Sequence, residues 1–251
     1  MKTYLFDGSK NGLFTCIFES FYRKEKPCRV TNEACQTGLL DEIVKIETDN
    51  EKSERVYNCV KQCRTKYIVS DLKTAFKSGD KNRFDTIFFY LKTVIENKTA
   101  DVSTAFSLSE VLAFNDLKSR IFYEMHRFKG FLRFMETKDG YFYACYEPDN
   151  DITELLVPHF KARLGSPFII HDVKRNIIAL CNGKEYRIVF GGETPVTVFL
   201  SENECDLQNL WKTYYKNVNI EERKNARLMQ QYLPERYWKH LSEKQDIIED
   251  F

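Results

Sequence analysis

The chain has 251 residues, 43% of them hydrophobic and 14% aromatic, with 38 basic against 37 acidic side chains. That apolar content excludes a disordered chain, and the charge balance excludes a histone-like polycation while leaving room for a basic face. No run of about 18 apolar residues exists and the first residues lack a long apolar stretch, so no membrane span or signal peptide is expected. A cytoplasmic location with reduced cysteines follows as an expectation.

In chain order, "TYLFDGS" reads as a short strand ending in a turn at Asp7-Gly8, and "NGLFTCIFESFYRKE" as an amphipathic helix leaving it. Residues 25–50 read as a loop-rich connector with a short strand around "EIVKIET". From about 51 to 130, "EKSERVYNCVKQCRTK", "VSDLKTAFKS", "RFDTIFFYLKTVIEN" and "SLSEVLAFNDLKSRIFYEMHRFKG" each carry an apolar stripe at helical spacing.

The texture changes at Gly130. "FLRFMETKDGYFYACY" predicts a hairpin turning at Asp139-Gly140, and "NDITELLVPHFKARL" a helix that Pro158 should kink or break. "PFIIHD", "IIALC" and "EYRIVF" are strands, the last two joined at Asn182-Gly183, and the chain is helical again from 202, with Pro234 suited to a helix first turn. The fold class is therefore α+β. Residues 1–130 form an N-terminal strand plus a mainly helical region. Residues 131–251 form an antiparallel ββαβββ layer with a helical C-terminal extension, the two packed as one compact unit.

Cys28, Cys35, Cys59 and Cys63 are the nearest approach to a metal site, but their irregular spacing favours buried thiols, so neither metal nor cofactor is expected. A radical-SAM cysteine triad is absent, because Lys66 stands where the third thiolate would be. In "FIIHDVKRN", neighbouring strand residues point to opposite faces, so His171 and Asp172 pair only if the strand ends there. Phe168 and Ile170 should face the core and His171 the other side; Asp172 should begin the turn and brace it, with Lys174 and Arg175 projecting into solvent.

"EMHRFKGFLRF" interleaves His126, Arg127, Lys129 and Arg133 with phenylalanines, which suits either a nucleic-acid surface or a helix end with its core face. His159 and Arg163 lie one turn apart. Residues 211–240 are the most basic and aromatic window, readable as a strand-binding groove or as a solvated pair of helices.

Three blocks, "EMHRFKGFLRF…DGYFYACYEPDNDITELLVPHF", "FIIHDVKRNIIAL" and "IEERKNARLMQQYLPERYWKHL", together with "YLFDGSKNGLFTCIFESFYRKE", resemble a bacterial family of DNA metabolism proteins with a central domain of unknown function. The resemblance runs from about residue 3 to 242. It implies a role in DNA modification or repair beside a radical-SAM partner protein. It also implies a short form without the uracil-DNA-glycosylase-like domain that some members carry. The matching positions that can contact DNA or another ligand are Arg127, Lys129, Arg133, Lys174, Arg175, Arg223, Asn225, Arg236 and Trp238, and Arg163, one turn from His159, is a further candidate. Two other readings stay open: a hydrolytic or base-modifying enzyme using His126, His159, His171 and Asp172, and a protein-binding adaptor.

Overall fold

A computed structural model describes residues 2–33, 42–191, 198–218 and 220–244. The chain divides into two units, 1–122 and 123–251.

The first unit starts with β1 (Lys2–Leu5), which lies centrally between β2 (Arg29–Thr31) and β3 (Glu42–Lys45); both neighbours run parallel to it. Parallel neighbours need crossover connections, and α1 (Lys10–Tyr22) supplies the first. The turn before α1 is fixed by its own side chains. The Asp7 carboxylate accepts from the Ser9 N–H at 2.9 Å and the Ser9 hydroxyl accepts from the Gly12 N–H at 2.9 Å, capping the helix. Helices α2 (Asn50–Gln62), α3 (Ile68–Ala75), α4 (Arg83–Glu96) and α5 (Ser109–Phe131) follow where the apolar stripes place them.

Their buried faces meet in one apolar core, with Tyr4, Phe14, Val60, Ile87, Phe88 and Phe114 at its centre. The rings of Tyr90 and Phe114 stack at 3.8 Å. The division into two units falls inside α5, after Phe122.

The second unit carries a five-stranded sheet in sequence order: β4 (Met135–Glu136), β5 (Phe142–Tyr146), β6 (Phe168–Asp172), β7 (Ile177–Cys181) and β8 (Tyr186–Phe190). The α+β class is as expected, but the layer is not wholly antiparallel. β5 and β6 are parallel, because α6 (Thr153–Leu164) carries the chain back across one face before β6 begins. α6 runs unbroken through Pro158, so the chain is not interrupted there, and ends at Gly165, whose φ of 63° is the left-handed conformation that glycine adopts without strain. Residues 199–201 extend the β4 edge through Lys138 N–H to Phe199 O and Ser201 N–H to Glu136 O.

Beyond lie α7 (Glu204–Val218) and α8 (Ala226–Tyr232). The described residues after α8 are not α-helix: Glu235–His240 and Ser242–Lys244 are 3-10 turns, and Pro234 sits just before the first of them. Among the described residues no helix is long and apolar enough to cross a membrane.

Candidate nucleic-acid interface

Four carboxylates of the second unit are buried among its described residues, those of Glu124, Asp172, Glu204 and Glu243. A buried carboxylate persists only when its oxygens are fully engaged, and these hold the surrounding segments in place. Glu124, on α5, accepts from the Asp149 N–H (2.6 Å), the Asn150 N–H (2.8 Å), the Asn150 side-chain amide (2.6 Å) and the Tyr237 hydroxyl (2.9 Å). Glu204, at the start of α7, accepts from the Glu136 N–H at 2.8 Å.

Glu243 takes a guanidinium. Arg133 Nη2 donates to its Oε1 at 2.6 Å, and Trp211 Nε1 donates to its Oε2 at 3.0 Å. Burial works against this carboxylate's charge, but Arg133 and Trp211 outweigh it and hold Glu243 below the usual carboxylate range.

The strand "FIIHD" ends at Asp172, where the strand pattern was expected to end. Asp172 is its last residue, on the core face with Phe168 and Ile170, and is fully buried. It does brace the turn, accepting from the Arg175 N–H at 3.1 Å. Arg175, however, does not project into solvent. Its guanidinium folds back onto Asp172 Oδ2 at 2.9 Å and onto the carbonyls of Pro148 and Asp149, because a fully buried carboxylate needs a counter-charge. Burial still pushes the Asp172 carboxyl above its ordinary value, against the pull of Arg175. Lys174 is exposed.

Three of the remaining predicted cations also have partners. Arg236 pairs with Asp149 at 2.8 Å, Arg127 donates to Gln231 O at 2.9 Å, and Arg163 donates to Lys129 O at 3.4 Å. Asn225 caps α8, accepting from the Leu228 N–H at 2.9 Å, and Trp238 Nε1 donates to Leu233 O at 3.0 Å.

The histidines do not line a common cleft. His126 is exposed on α5. His171 faces away from Asp172, with Nδ1 2.8 Å from the Tyr143 hydroxyl and Nε2 3.3 Å from Asn176 Oδ1. His159 is half-buried; burial, then Lys129 and Arg163, lower its pKa, so it is neutral near pH 7. Its Nε2 is enclosed without a hydrogen-bond partner among the described residues.

Two cavities open in this unit. One, of about 550 Å³, is walled by Phe134, Phe142, Phe160 and Trp211, with Arg163 and Lys239 among its cations. On its wall Cys145 Sγ lies 3.5 Å from His240 Nδ1. His240 Nε2 is 3.5 Å from Glu147 Oε1, near enough to feel the charge but not aligned as a hydrogen bond. Burial raises the thiol pKa and lowers that of the imidazole, so both rest uncharged.

The other cavity, of about 670 Å³, lies among α7, α8 and the final turn. Tyr215, Tyr232 and Phe131 line it together with Lys216, Arg223, Lys224 and Lys244. Lys244 is 3% exposed, and its ammonium contacts Met229 Sδ at 3.5 Å while facing the rings of Tyr215 at 5.0 Å and Trp238 at 5.1 Å.

Lys216 and Lys244 were not singled out in the sequence. The basic, aromatic composition of 211–240 marks the first. Nothing local marks the second, because its burial depends on rings at 215 and 238.

Residues 81–243 match the model of DUF4130, a domain of unknown function. No curated protein and no solved structure matches the chain. Since the matched stretch is well over half of the chain and takes in the four buried carboxylates described above, the chain belongs to the DUF4130 family.

Proposed function

We propose that this chain is an accessory protein of DNA metabolism, acting in modification or repair beside a radical-SAM partner, and that it binds DNA through the surface of α7, α8 and the segment between them. The family resemblance of the sequence motivates the role and the partner. The observation that carries the DNA contact is the way this surface mixes rings with cations. Trp211, Tyr214 and Tyr232 are exposed at 37%, 56% and 57%, with Lys216 exposed on α7 and Arg223 exposed in the turn between the two helices. Cations meet phosphates and rings stack on unpaired bases, a combination suited to single strands.

Arg133, Arg175 and Arg236 serve the fold first, through Glu243, Asp172 and Asp149. His171 and Asp172 spend their polar atoms on Tyr143, Asn176 and Arg175, which weighs against a catalytic role for that pair.

Fluorescence anisotropy with labelled single-stranded and duplex DNA over a range of salt tests this reading. The expected result is tighter binding of the single strand, weakening steeply with salt. Lys216→Ala/Arg223→Ala should lower the salt slope by about 2, one per lost phosphate contact. Absence of binding at low salt, or an unchanged slope in the double variant, removes this surface from the interface.

A further inference from the structure

We propose that the cavity of about 670 Å³ among α7, α8 and the final turn is a nucleotide subsite, with Lys244 as the ligand for a phosphate oxygen. The proposal deepens the DNA-binding reading and rests on it for the polymer that supplies the nucleotide.

Lys244 is only 3% exposed. A buried ammonium is costly unless an anion answers it. Met229 Sδ and the faces of Tyr215 and Trp238 offset part of that cost, but none carries a formal negative charge. No ion pair forms between Lys244 and a carboxylate of the described residues. The carboxylate on the cavity wall, Glu243, is already bound by Arg133 and Trp211. Lys216 and Arg223 add further positive charge to the same wall. A cavity so lined accumulates anions.

The shape then narrows the class of anion. Tyr215, Tyr232 and Phe131 give the cavity aromatic walls, and Leu228, Met229 and Leu233 complete an apolar lining that inorganic phosphate would not use. The volume falls in the range of small-molecule sites. A ligand with a flat ring at one end and a phosphate at the other satisfies both halves, and an unstacked nucleotide of a single strand is such a ligand.

The test uses the full chain with thymidine 5′-monophosphate, thymidine, inorganic phosphate and a labelled oligothymidylate, followed by calorimetry and anisotropy. Saturable binding of the monophosphate is expected, with thymidine and inorganic phosphate each at least tenfold weaker. Lys244→Met and Arg223→Ala should each weaken the monophosphate at least tenfold. Lys244→Met should melt no lower than the parent, since it removes an unanswered buried charge; Arg223→Ala, at an exposed position, guards against a folding defect in the first variant. If the oligonucleotide binds while the monophosphate does not, and Lys244→Met leaves oligonucleotide binding unchanged, the subsite is wrong and the DNA-binding reading survives. If the monophosphate binds as expected and no oligonucleotide does, the subsite stands and the DNA-binding reading fails. Equal affinity for inorganic phosphate and the monophosphate overturns the nucleotide assignment.

Discussion

The two units solve the problem of stability with different materials. The first is held by a continuous apolar core running from Tyr4 through Phe14 and Phe88 to Phe114. Glu19 is its one buried carboxylate among the described residues, and Arg23 and Lys52 both answer it. The second buries four carboxylates, and three of them, Glu124, Glu204 and Glu243, tie together segments distant in sequence. Apolar packing is tolerant of salt and pH. Carboxylate ties are directional, so they position loops closely but fail when a single partner is lost. The cationic cavity is built on the second kind of frame, where precise placement of helical turns matters more than bulk burial.

The largest effect should come from the first unit. Phe88→Ala removes a ring with no solvent exposure and should cost about 4 kcal/mol. Hydrogen exchange followed by mass spectrometry should show loss of protection in α1, α2 and α4 that varies little between pH 5 and 8. A strongly pH-dependent loss would break the contrast between the units.

Glu124→Gln comes next. It turns an acceptor of four hydrogen bonds into an amide whose NH₂ faces donors, and should cost about 3 kcal/mol. Exchange should rise in residues 147–151 and 234–241 while the first unit stays protected.

Arg133→Met sharpens the comparison through pH. The folded pKa of Glu243 lies below its ordinary 4.5, so the pair contributes stability that is present above pH 4.5 and lost as pH falls through the folded value. The variant should lose about 2 kcal/mol at pH 7, Arg133 being partly exposed. It should also show a flatter acid limb than the parent in denaturant melts taken from pH 7 to 3.

Asp172→Asn should have the smallest effect, about 1 kcal/mol at pH 7. Its sign with pH is opposite. The folded pKa lies above 3.8, so ionisation costs stability as pH rises from 3.8 through the folded value. The asparagine variant lacks that cost and should approach the parent's stability at pH 7 more closely than at pH 3. A larger deficit at pH 7 would mean that the Arg175 pair dominates burial.

Much of the fold was legible because its signals are local. The stripes of α2 to α5 repeat within one turn of helix, and Asp139-Gly140 and Asn182-Gly183 announce their turns. β2 is only "RVT", too short for an alternation to register, and its pairing with β1 joins Tyr4 to Val30. The parallel β5–β6 pair did have a signal, since a twelve-residue helix between two strands is the usual crossover length. The candidate site was less legible, for an electrostatic reason. Counted along the chain, Arg133, Arg175 and Arg236 look like available cations. Their carboxylates sit at 243, 172 and 149, and only one of the three is a neighbour in sequence. Lys244 shows the reverse. It looks like a solvated lysine near the end of the sequence, and only the folded positions of Tyr215 and Trp238 enclose it.

The place of α4 bears on what is inherited as a domain. The family match opens at residue 81, two residues before α4, whereas the second unit begins at Tyr123. Phe84, Ile87, Phe88, Leu91 and Val94 of α4 are all buried, and the helix packs against α1, α2, α3 and β2, which lie upstream of the match. A fragment cut at residue 81 would therefore carry a helix stripped of its cover, and that helix would seek another apolar surface or another copy of itself. Any protein that bears this family sequence without the first eighty residues must supply a substitute lid for α4 from elsewhere in its own chain or from a companion.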